Sequence, residues 1–280
     1  MHESDEFIKS RRYLKNVTAK TLDWYRDSFR ALTRFHEGGS FTKQSLARFV
    51  VRLRESGISA VSCNTYCRAI NAFLRWRYEE NLCAELLRIA SLKTENKVLP
   101  TFTLSHVKAL IGWKARTYSD CRLHTLICSL LDTGLRIEEA LGLTRDKVDL
   151  ENLLLTVRGK GEKHRVVPLS FEMRKLLHRW LMRHDFPLVF PTRDGTRLNQ
   201  RNTLRDFKLV ALGLGIDGVR VSFHTLRHTF AVNYIRNGGD VFRLQRILGH
   251  STLEMTRRYV NLQTADLQAV HDRLTLLNCR

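Results

Sequence analysis

Six side chains between residues 136 and 259 are of the types that an enzyme would gather around one phosphodiester. They are two arginines, a lysine, two histidines and a tyrosine, at Arg136, Lys160, His224, Arg227, His250 and Tyr259. Guanidinium groups stay protonated and offer a planar fork of donors, so they suit the negative charge of a phosphorus transition state. A tyrosine hydroxyl can supply the nucleophile, because its attack on phosphorus gives a covalent phosphotyrosine. The set favours a DNA strand-transfer enzyme.

Arg136 stands in the segment TGLRIEEALGL, where a helix should begin just after Gly134. Glu139 lies one turn further along the same helical face, so its carboxylate could hold the guanidinium group in position. An ordinary surface ion pair at this spacing explains the pattern equally well. The motif alone leaves both interpretations open.

The segment HTLRHTF places His224 and Arg227 three residues apart, a spacing that directs two side chains of a helix to one point. An imidazole there can accept a proton from an attacking hydroxyl, or donate to a phosphate, near neutral pH. His228 points elsewhere on such a helix and is predicted to be structural. A solitary HxxR motif is a weak indicator of function.

Lys160 lies at the tip of an expected hairpin, between Gly159 and Gly161. A flexible turn can deliver its ammonium group to the 5′-oxygen leaving group and protonate that oxygen as the bond breaks. Lys163, three residues away on the same hairpin, is the rival candidate. The simpler explanation of either residue is a turn lysine in solvent.

Tyr259 follows Arg257 and Arg258 near the end of a short predicted helix, nine positions after His250. A free phenol has a pKa near ~10, so neighbouring cations are needed for attack at neutral pH. Taken singly, Tyr259 is better explained as a half-buried aromatic residue, and His250 after Gly249 is equally ambiguous. Only their combination with the arginines and the lysine points to one site.

Helices and one β-hairpin would position these residues, which predicts an α+β fold that is mostly α with a small β-hairpin or sheet. Apolar residues at three- to four-residue spacing, between capping and glycine signals, predict three long N-terminal helices and a short fourth. They span about 18–37 (capped by Thr18 or Asn16), 42–56, 59–80 and 86–89. Another helix is capped by Thr103, and β-prone runs at 153–157 and 165–169 flank the turn GKGEK. Helical patterns follow at 171–184, 199–212, 223–236, 241–248, 252–260 and 263–278.

The charge of the chain predicts a polyanionic partner. Its 280 residues include 47 Lys and Arg against 28 Asp and Glu, a formal net charge of +19. Residues 1–95 hold 17 basic against 11 acidic residues and residues 96–280 hold 30 against 17, so both parts are basic. Cationic surface gains affinity for nucleic acid by displacing condensed counterions. An incidentally basic protein or a membrane-surface binder is the alternative, but arginine interleaved with Trp and Tyr favours phosphate recognition.

Candidate DNA contacts are basic side chains on the outer faces of the N-terminal helices and on the hairpin: Arg48, Arg52, Arg68, Arg75, Arg77, Lys163 and Arg165. For any single arginine a solvated helical face explains the position equally well. The six cysteines show no paired metal-ligand spacing, so neither a metal nor a cofactor is expected. No secretory signal opens the chain and no apolar run approaches a membrane span, which predicts a cytoplasmic location.

Together, the motifs resemble those of the tyrosine recombinase, or phage integrase, family. TGLRIEEALGL is similar to the family's first arginine box, which makes Arg136 a catalytic arginine and Glu139 its acidic companion. GKGEKHRVVPL resembles the family's β-hairpin and places the catalytic lysine at Lys160 and not at Lys163. HTLRHTFA and LGHSTLEMTRRYV are similar to the remaining boxes and identify the other catalytic residues as His224, Arg227, His250 and the nucleophile Tyr259.

The resemblance implies a compact, Xer-like or transposon-type recombinase in the nucleoid of a bacterium. Its parts would be an N-terminal arm (1–15), a helical, SAM-like core-binding domain (16–91), a linker (92–102), a catalytic domain (103–262) and a C-terminal helix (263–280). That helix would pack in trans on a neighbouring protomer or, alternatively, fold back on its own domain. The two domains would close around double-stranded DNA. A homotetramer on two synapsed sites, with or without a partner recombinase, would exchange strands through 3′-phosphotyrosine intermediates and a Holliday junction, without metal or ATP.

Two other functions stay open at this point. A relative of type IB topoisomerases would share the catalytic arrangement, although the N-terminal helices and the hairpin sequence argue against it. An accessory DNA-binding protein could keep the fold and lack the chemistry, but all six catalytic residue types are present. The target sequence is not derivable, because most contacts would be to phosphates and to DNA shape.

Overall fold

A computed structural model describes residues 2–94, 100–159, 164–250, 252–253 and 256 of the chain. The chain divides into two compact units, Met1–Lys97 and Val98–Arg280. Each unit has its own hydrophobic core of buried aliphatic and aromatic side chains. Over the part of the chain that the structure describes, no helix is both long enough and apolar enough to cross a membrane.

The described residues of the first unit form four helices: α1 (His2–Tyr13), α2 (Ala19–Phe35), α3 (Lys43–Glu55) and α4 (Ala60–Glu79). The side chains of Thr18, Thr42 and Ser59 cap α2, α3 and α4, each by accepting a hydrogen bond from the backbone N–H three residues on. The three long N-terminal helices predicted from the sequence are therefore confirmed, and Thr18 is the cap of the first.

Helix α1 is anchored to the first unit by one aromatic side chain. Phe7 is fully buried and meets Tyr25, Phe29 and Phe73 edge-on, with ring centroids 4.9, 5.8 and 5.5 Å apart. Such pairs add stability beyond the buried area. The prediction of a loose arm at 1–15 is therefore wrong. The sequence did not indicate this helix, because few apolar residues in a polar helix do not form the periodic pattern of an amphipathic helix.

The segment that follows α4 is not helical, so the short fourth helix predicted at 86–89 is also wrong. Instead, two asparagine side chains of α4 form hydrogen bonds with the backbone of this segment. Asn71 Nδ2 donates to the Ile89 carbonyl (2.9 Å) and Asn71 Oδ1 accepts from the Ile89 N–H (2.8 Å). Asn64 makes the same pair of bonds to Leu92, at 2.8 and 2.7 Å. These contacts satisfy backbone groups that a helix would otherwise have to pair.

The second unit is helical around a small sheet. Its helices are α5 (Leu104–Ile111), α6 (Tyr118–Thr133), α7 (Ile137–Leu141), α8 (Phe171–Leu181), α9 (Gln200–Gly213), α10 (Phe223–Arg236) and α11 (Val241–Leu248). Strands β1 (Val148–Asp149), β2 (Leu154–Arg158) and β3 (His164–Pro168) form an antiparallel sheet in that order. The predicted hairpin is β2 and β3, which pair Leu155 with Val167 and Val157 with Arg165.

The predictions omitted α6 and β1. Most of α6 from Leu123 to Thr133 is buried, since it packs against both α8 and α10. A helix buried on most sides shows no polar face, so the amphipathic pattern that signals a surface helix is missing. Strand β1 is only two residues long, too short to give a period-two pattern.

Both ends of the predicted linker, 92–102, are packed. Leu92 is held by Asn64 in the first unit. Phe102 is 4% exposed in the core of the second unit, and its N–H donates to Thr229 Oγ1 at 3.0 Å. Leu92 therefore belongs to the first unit and Phe102 to the second, while the described residues Lys93, Thr94 and Pro100 are exposed.

Candidate active site

Two of the predicted catalytic arginines meet at the C-terminal end of α11. The Leu248 carbonyl accepts from Arg227 Nη2 at 2.7 Å and from Arg136 Nη1 at 3.2 Å. Arg136 Nη2 also approaches the Gly249 carbonyl at 3.4 Å. The last carbonyls of a helix lack partners within the helix and carry partial negative charge, so cations are favourable there. The helix end therefore fixes both guanidinium groups side by side.

Gly134 and Arg227 join three elements of this site. α6 ends at Gly134, whose φ of +63° is the left-handed conformation that lets the chain turn into α7. Arg227, on α10, is 3% exposed, and its Nη1 donates to the Gly134 carbonyl at 2.7 Å. One buried guanidinium group thus ties α10 to the turn before Arg136 and to the end of α11.

Glu139 is the acidic centre of the site. Its carboxylate accepts from the Arg136 side chain (3.0 Å) and backbone N–H (2.8 Å), and it accepts two bonds of 2.8 Å from Arg165. Burial by itself would raise the pKa of Glu139, but hydrogen bonds from Arg165 and from the Arg136 N–H, with both positive charges, lower that pKa below 4.5. The carboxylate is therefore ionised at neutral pH. The ion pair between Glu139 and Arg136 agrees with the pairing predicted from the sequence.

His224 lies on the exposed side of α10, one turn before Arg227. Its ring stands perpendicular to that of His228, with 4.7 Å between centroids. Partial burial, and then the charges of Arg227, Arg136 and Arg220, lower the pKa of His224 below 6.5. The neutral imidazole, which can accept a proton, therefore predominates at pH 7.

His250 follows the left-handed cap Gly249 directly, which brings its ring beside the arginines. Its Nδ1 lies 2.9 Å from Thr256 Oγ1, and its carbonyl accepts from Gln245 Nε2 at 3.2 Å. Burial is the main cause that lowers the pKa of His250 to about 4, followed by the charges of Arg227, Arg136, Arg165 and His228. An anion bound among these groups would offset that repulsion.

Arg165, predicted among the DNA contacts, lies inside the site. Its side chain is 13% exposed, and all three guanidinium nitrogens donate to the protein, two to Glu139 and one to the Ile247 carbonyl at 2.8 Å. The prediction of a surface contact is therefore wrong. The period-two alternation of the hairpin was the missed signal, because Arg165 shares its face with the buried residues Val167 and Leu169.

The arginines predicted as DNA contacts in the first unit fall into two groups. Arg48, Arg52, Arg68 and Arg75 are exposed on α3 and α4, where an arginine can reach a polyanion. Arg77 is 15% exposed, pairs with Glu3 of α1 at 2.8 Å and stacks over the Phe41 ring at 5.0 Å. It therefore holds α1 against α4, and its prediction as an open DNA contact is wrong.

Some predicted residues lie outside the described part of the chain: Lys160, Lys163, Tyr259 and the C-terminal segment 263–280. The described candidates Arg136, His224, Arg227 and His250 are gathered at one place. Two guanidinium groups and two imidazoles can surround one tetrahedral anion and stabilise the charge that develops on it. Among the described residues, no group of three or more His, Cys, Asp or Glu could hold a metal ion.

The chain is similar to known recombinases over nearly its whole length. It is 31% identical to tyrosine recombinase XerA of Thermococcus kodakarensis, over 99% of this chain and 98% of that protein. It is 29% identical to tyrosine recombinase XerC of Pseudomonas aeruginosa, over 96% and 93%. The fold matches a XerH site-specific recombinase bound to its difH substrate (TM-score 0.77, 20% identity, 98% and 83% covered). It also matches the Tn1549 transposon integrase in complex with transposon right-end DNA (TM-score 0.80, 20% identity, 97% and 99% covered).

Residues 100–266 match the profile of the phage integrase family. That range includes the whole arginine cluster described above, and it also includes Lys160 and Tyr259, the two predicted catalytic residues that lie outside the described part of the chain. The match and the 31% identity to a tyrosine recombinase agree with the motifs. The chain therefore belongs to the phage integrase family, the tyrosine recombinases.

Proposed function

We propose that this chain is a site-specific DNA recombinase that cleaves and rejoins duplex DNA through a covalent 3′-phosphotyrosine. One observation carries the proposal: the guanidinium groups of Arg136 and Arg227 converge on the Leu248 carbonyl, two residues before His250. This cluster suits a phosphodiester because it offers several fixed donors and excess positive charge at one point. The similarity to tyrosine recombinases along the chain supports the same function.

In the proposed cleavage step, the Tyr259 hydroxyl oxygen attacks the scissile phosphorus. The phenolic proton passes to the neutral imidazole of His224, for which the lowered pKa is suitable. The bond from phosphorus to the 5′-oxygen breaks, and that oxygen takes a proton from Lys160. Arg136, Arg227 and His250 hold the non-bridging oxygens. The assignments of Tyr259 and Lys160 rest on the family motifs in the sequence.

Rejoining is the same step in reverse with a different strand. The 5′-hydroxyl of a partner strand attacks the phosphotyrosine, and the tyrosine oxygen leaves and regains a proton. The free energy of the broken bond is kept in the covalent intermediate, so no nucleotide cofactor is needed. Two such exchanges between two DNA sites, made by four protomers, would pass through a Holliday junction. We propose this homotetramer by likeness to the family, with the C-terminal segment 263–280 packed on a neighbouring protomer.

DNA binding is proposed for both units of the chain, since both are strongly basic. In the first unit, Arg48, Arg52, Arg68 and Arg75 are the exposed candidates. XerH and the Tn1549 integrase were both solved with DNA, which supports duplex DNA as the partner here. Contacts from arginine to phosphate would set the position of the protein on the duplex and most of its affinity.

The experiment that tests this function uses nicked DNA duplexes that tile the sequence on either side of the gene. A nick beside the scissile phosphate lets the short strand diffuse away and traps the covalent intermediate. Wild type and Tyr259→Phe are incubated with the duplexes, and an SDS-resistant, protease-sensitive adduct is scored on a denaturing gel. Wild type alone should form the adduct, and both proteins should bind the DNA with similar affinity.

The other outcomes separate the competing functions. Tight, site-specific binding without an adduct would favour a DNA-binding accessory protein. An adduct that forms at many unrelated sequences, with relaxation of supercoiled plasmid, would favour a type IB topoisomerase-like enzyme. An adduct formed equally by Tyr259→Phe would contradict the assigned nucleophile.

A further inference from the structure

Arg165 is a charged side chain of the second unit that the proposed chemistry does not use, although all three of its guanidinium nitrogens donate hydrogen bonds. Its Nη1 and Nη2 donate to the two oxygens of Glu139, each at 2.8 Å, and its Nε donates to the Ile247 carbonyl at 2.8 Å. This fork-to-carboxylate geometry is stronger and more directional than a single-point ion pair. With 13% of its side chain exposed, Arg165 is poorly placed to bind DNA.

The same side chain links three elements that border the site. Arg165 lies on β3, Glu139 on α7, and Ile247 in the last turn of α11. Arg136 is held by two groups, the Glu139 carboxylate and the carbonyls at the end of α11. Arg165 contacts the same carboxylate and, in the last turn of α11, the Ile247 carbonyl, which directly precedes Leu248. The position of the Arg136 guanidinium group therefore depends on Arg165 twice, although the two arginines are not joined directly.

A charge argument leads to the same residue. Glu139 is 7% exposed, so its negative charge is screened mainly by its two arginine neighbours. With both arginines present the three groups have a net charge of +1. Without Arg165, the charge of Arg136 would be cancelled by Glu139, and an approaching phosphate would meet a neutral pair. Arg165 thus leaves the Arg136 charge available to the substrate.

We infer that Arg165 is a positioning residue, which orients Arg136 through Glu139 and the end of α11 and keeps that group of charges cationic. The inference rests on the role proposed above for Arg136. Lysine cannot replace arginine fully here, because a single ammonium group cannot bridge two carboxylate oxygens and also reach a third acceptor. Gly249 fits the same arrangement, since a Cβ there would lie 3.0–3.1 Å from the Arg165 side chain.

The test compares two scissile groups in the nicked duplex identified by the adduct screen. One is the normal phosphodiester; the other is a methylphosphonate, in which a methyl group replaces a non-bridging oxygen and removes the negative charge. A residue that acts by stabilising that charge becomes dispensable on the neutral group. Single-turnover cleavage rates are measured for wild type, Arg136→Ala, Arg165→Ala and Arg165→Lys. DNA affinity and thermal unfolding are measured for each protein.

Arg197→Ala is the matched control. Arg197 also pairs with a glutamate of α7, since its Nη2 lies 2.8 Å from Glu138 Oε2, but both side chains are at least half exposed. A double variant, Arg165→Ala with Glu139→Gln, tests whether the two residues act as one unit. If they do, the cleavage rate of the double variant will be much higher than the rate obtained by multiplying the fold reductions of the two single variants.

On the phosphodiester, we expect Arg165→Ala to cleave about 10- to 100-fold more slowly than wild type, as for a misplaced catalytic group. Arg165→Lys should be intermediate, and Arg197→Ala should cleave at the wild-type rate. On the methylphosphonate, the defects of Arg136→Ala and Arg165→Ala should both shrink. A protein that is merely misfolded would stay slow on both groups.

Wild-type cleavage by Arg165→Ala would overturn the inference. The inference would also be overturned if Arg165→Ala showed the same rate defect on the phosphodiester and the methylphosphonate while the defect of Arg136→Ala became smaller on the methylphosphonate. Either result leaves the proposed function intact. The function itself fails if wild type forms no Tyr259-dependent adduct, or if Arg136→Ala cleaves both groups at the wild-type rate.

Discussion

Arg136 and Arg227 share the Leu248 carbonyl, so the chemistry proposed here depends on two residues that come from separate sequence motifs. We expect Arg136→Ala to slow single-turnover cleavage about 100-fold or more, because it removes one donor to the transition-state charge. DNA affinity should change little, since the chain has 46 other Lys and Arg residues available to bind the phosphate backbone. The rate is measured with saturating protein on nicked DNA. Cleavage at the wild-type rate would show that Arg136 is not a catalytic arginine.

His250 makes a prediction about stability at acid pH. Its pKa falls from 6.5 in the unfolded chain to about 4 in the folded protein, so the unfolded state binds more protons between these values. The contribution of His250 is complete above pH 6.5 and is lost as the pH falls toward 4. We expect His250→Gln to reduce the acid-side loss of unfolding free energy by about 1–3 kcal/mol.

Urea unfolding of the DNA-free protein at pH 7 and pH 4.5 measures this difference. Glutamine keeps a polar group beside Thr256 but does not titrate in this range. An equal loss of stability in wild type and His250→Gln would show that His250 is not the group that titrates.

Much of the candidate site could be predicted at the residue scale, because the proposed catalytic residues lie in motifs with fixed spacing. Glu139 was correctly paired with Arg136 for that reason. Arg165 was misassigned because a basic residue in a hairpin is usually solvated. Its true partners, Glu139 and Ile247, are 26 and 82 residues away in sequence. No local pattern indicates such contacts except the alternation that Arg165 shares with Val167.

At the scale of elements, the turn between α6 and α7 sets the position of Arg136. Gly134 has φ +63°, and a Cβ there would lie 2.4 Å from Phe230 Cδ1 and 2.9 Å from Leu248 Cδ2. We expect Gly134→Ala to lower the free energy of unfolding by about 1–3 kcal/mol through overpacking and backbone strain. Cleavage should slow as well, because the Gly134 carbonyl accepts from Arg227.

Gly213→Ala is the control for that substitution. Gly213 ends α9, has no positive φ and has nothing within 4 Å of an added Cβ. Its replacement should change stability by no more than about 1 kcal/mol, because alanine favours a helix. Both variants are compared by urea unfolding. If Gly134→Ala were as stable and as active as Gly213→Ala, the turn would not be the constraint described here.

Helices with a periodic pattern of apolar residues and an N-terminal capping residue could be predicted from the sequence, as for α2, α3 and α4. Elements determined by long-range contacts could not. α1 depends on long-range contacts of Phe7 and Glu3, and the segment after α4 depends on Asn64 and Asn71, whose side chains replace helical hydrogen bonds. α6 was hidden because it is buried on several sides, so its sequence carries no contrast between faces.

At the scale of the whole molecule, a net charge of +19 makes DNA binding strongly dependent on salt. We expect Arg68→Ala with Arg75→Ala, both exposed on α4, to reduce the slope of log affinity against log salt by about 2. The control is Arg26→Ala with Arg30→Ala on α2, two exposed arginines outside the predicted DNA contacts, which pair with Asp23 and Asp27 as Arg75 pairs with Glu79. Fluorescence anisotropy at several salt concentrations measures both slopes. Equal slopes in the two double variants would show that Arg68 and Arg75 of α4 do not contact the DNA.

The central claim is that Tyr259 becomes covalently joined to DNA, and direct mapping of the adduct tests it most sharply. The wild-type adduct is digested with nuclease and trypsin, and the modified peptide is sequenced by mass spectrometry. The account predicts a nucleotide on Tyr259, the single tyrosine of the tryptic peptide 259–273. A nucleotide attached to any other residue, or an adduct that leaves this peptide unmodified, would contradict it.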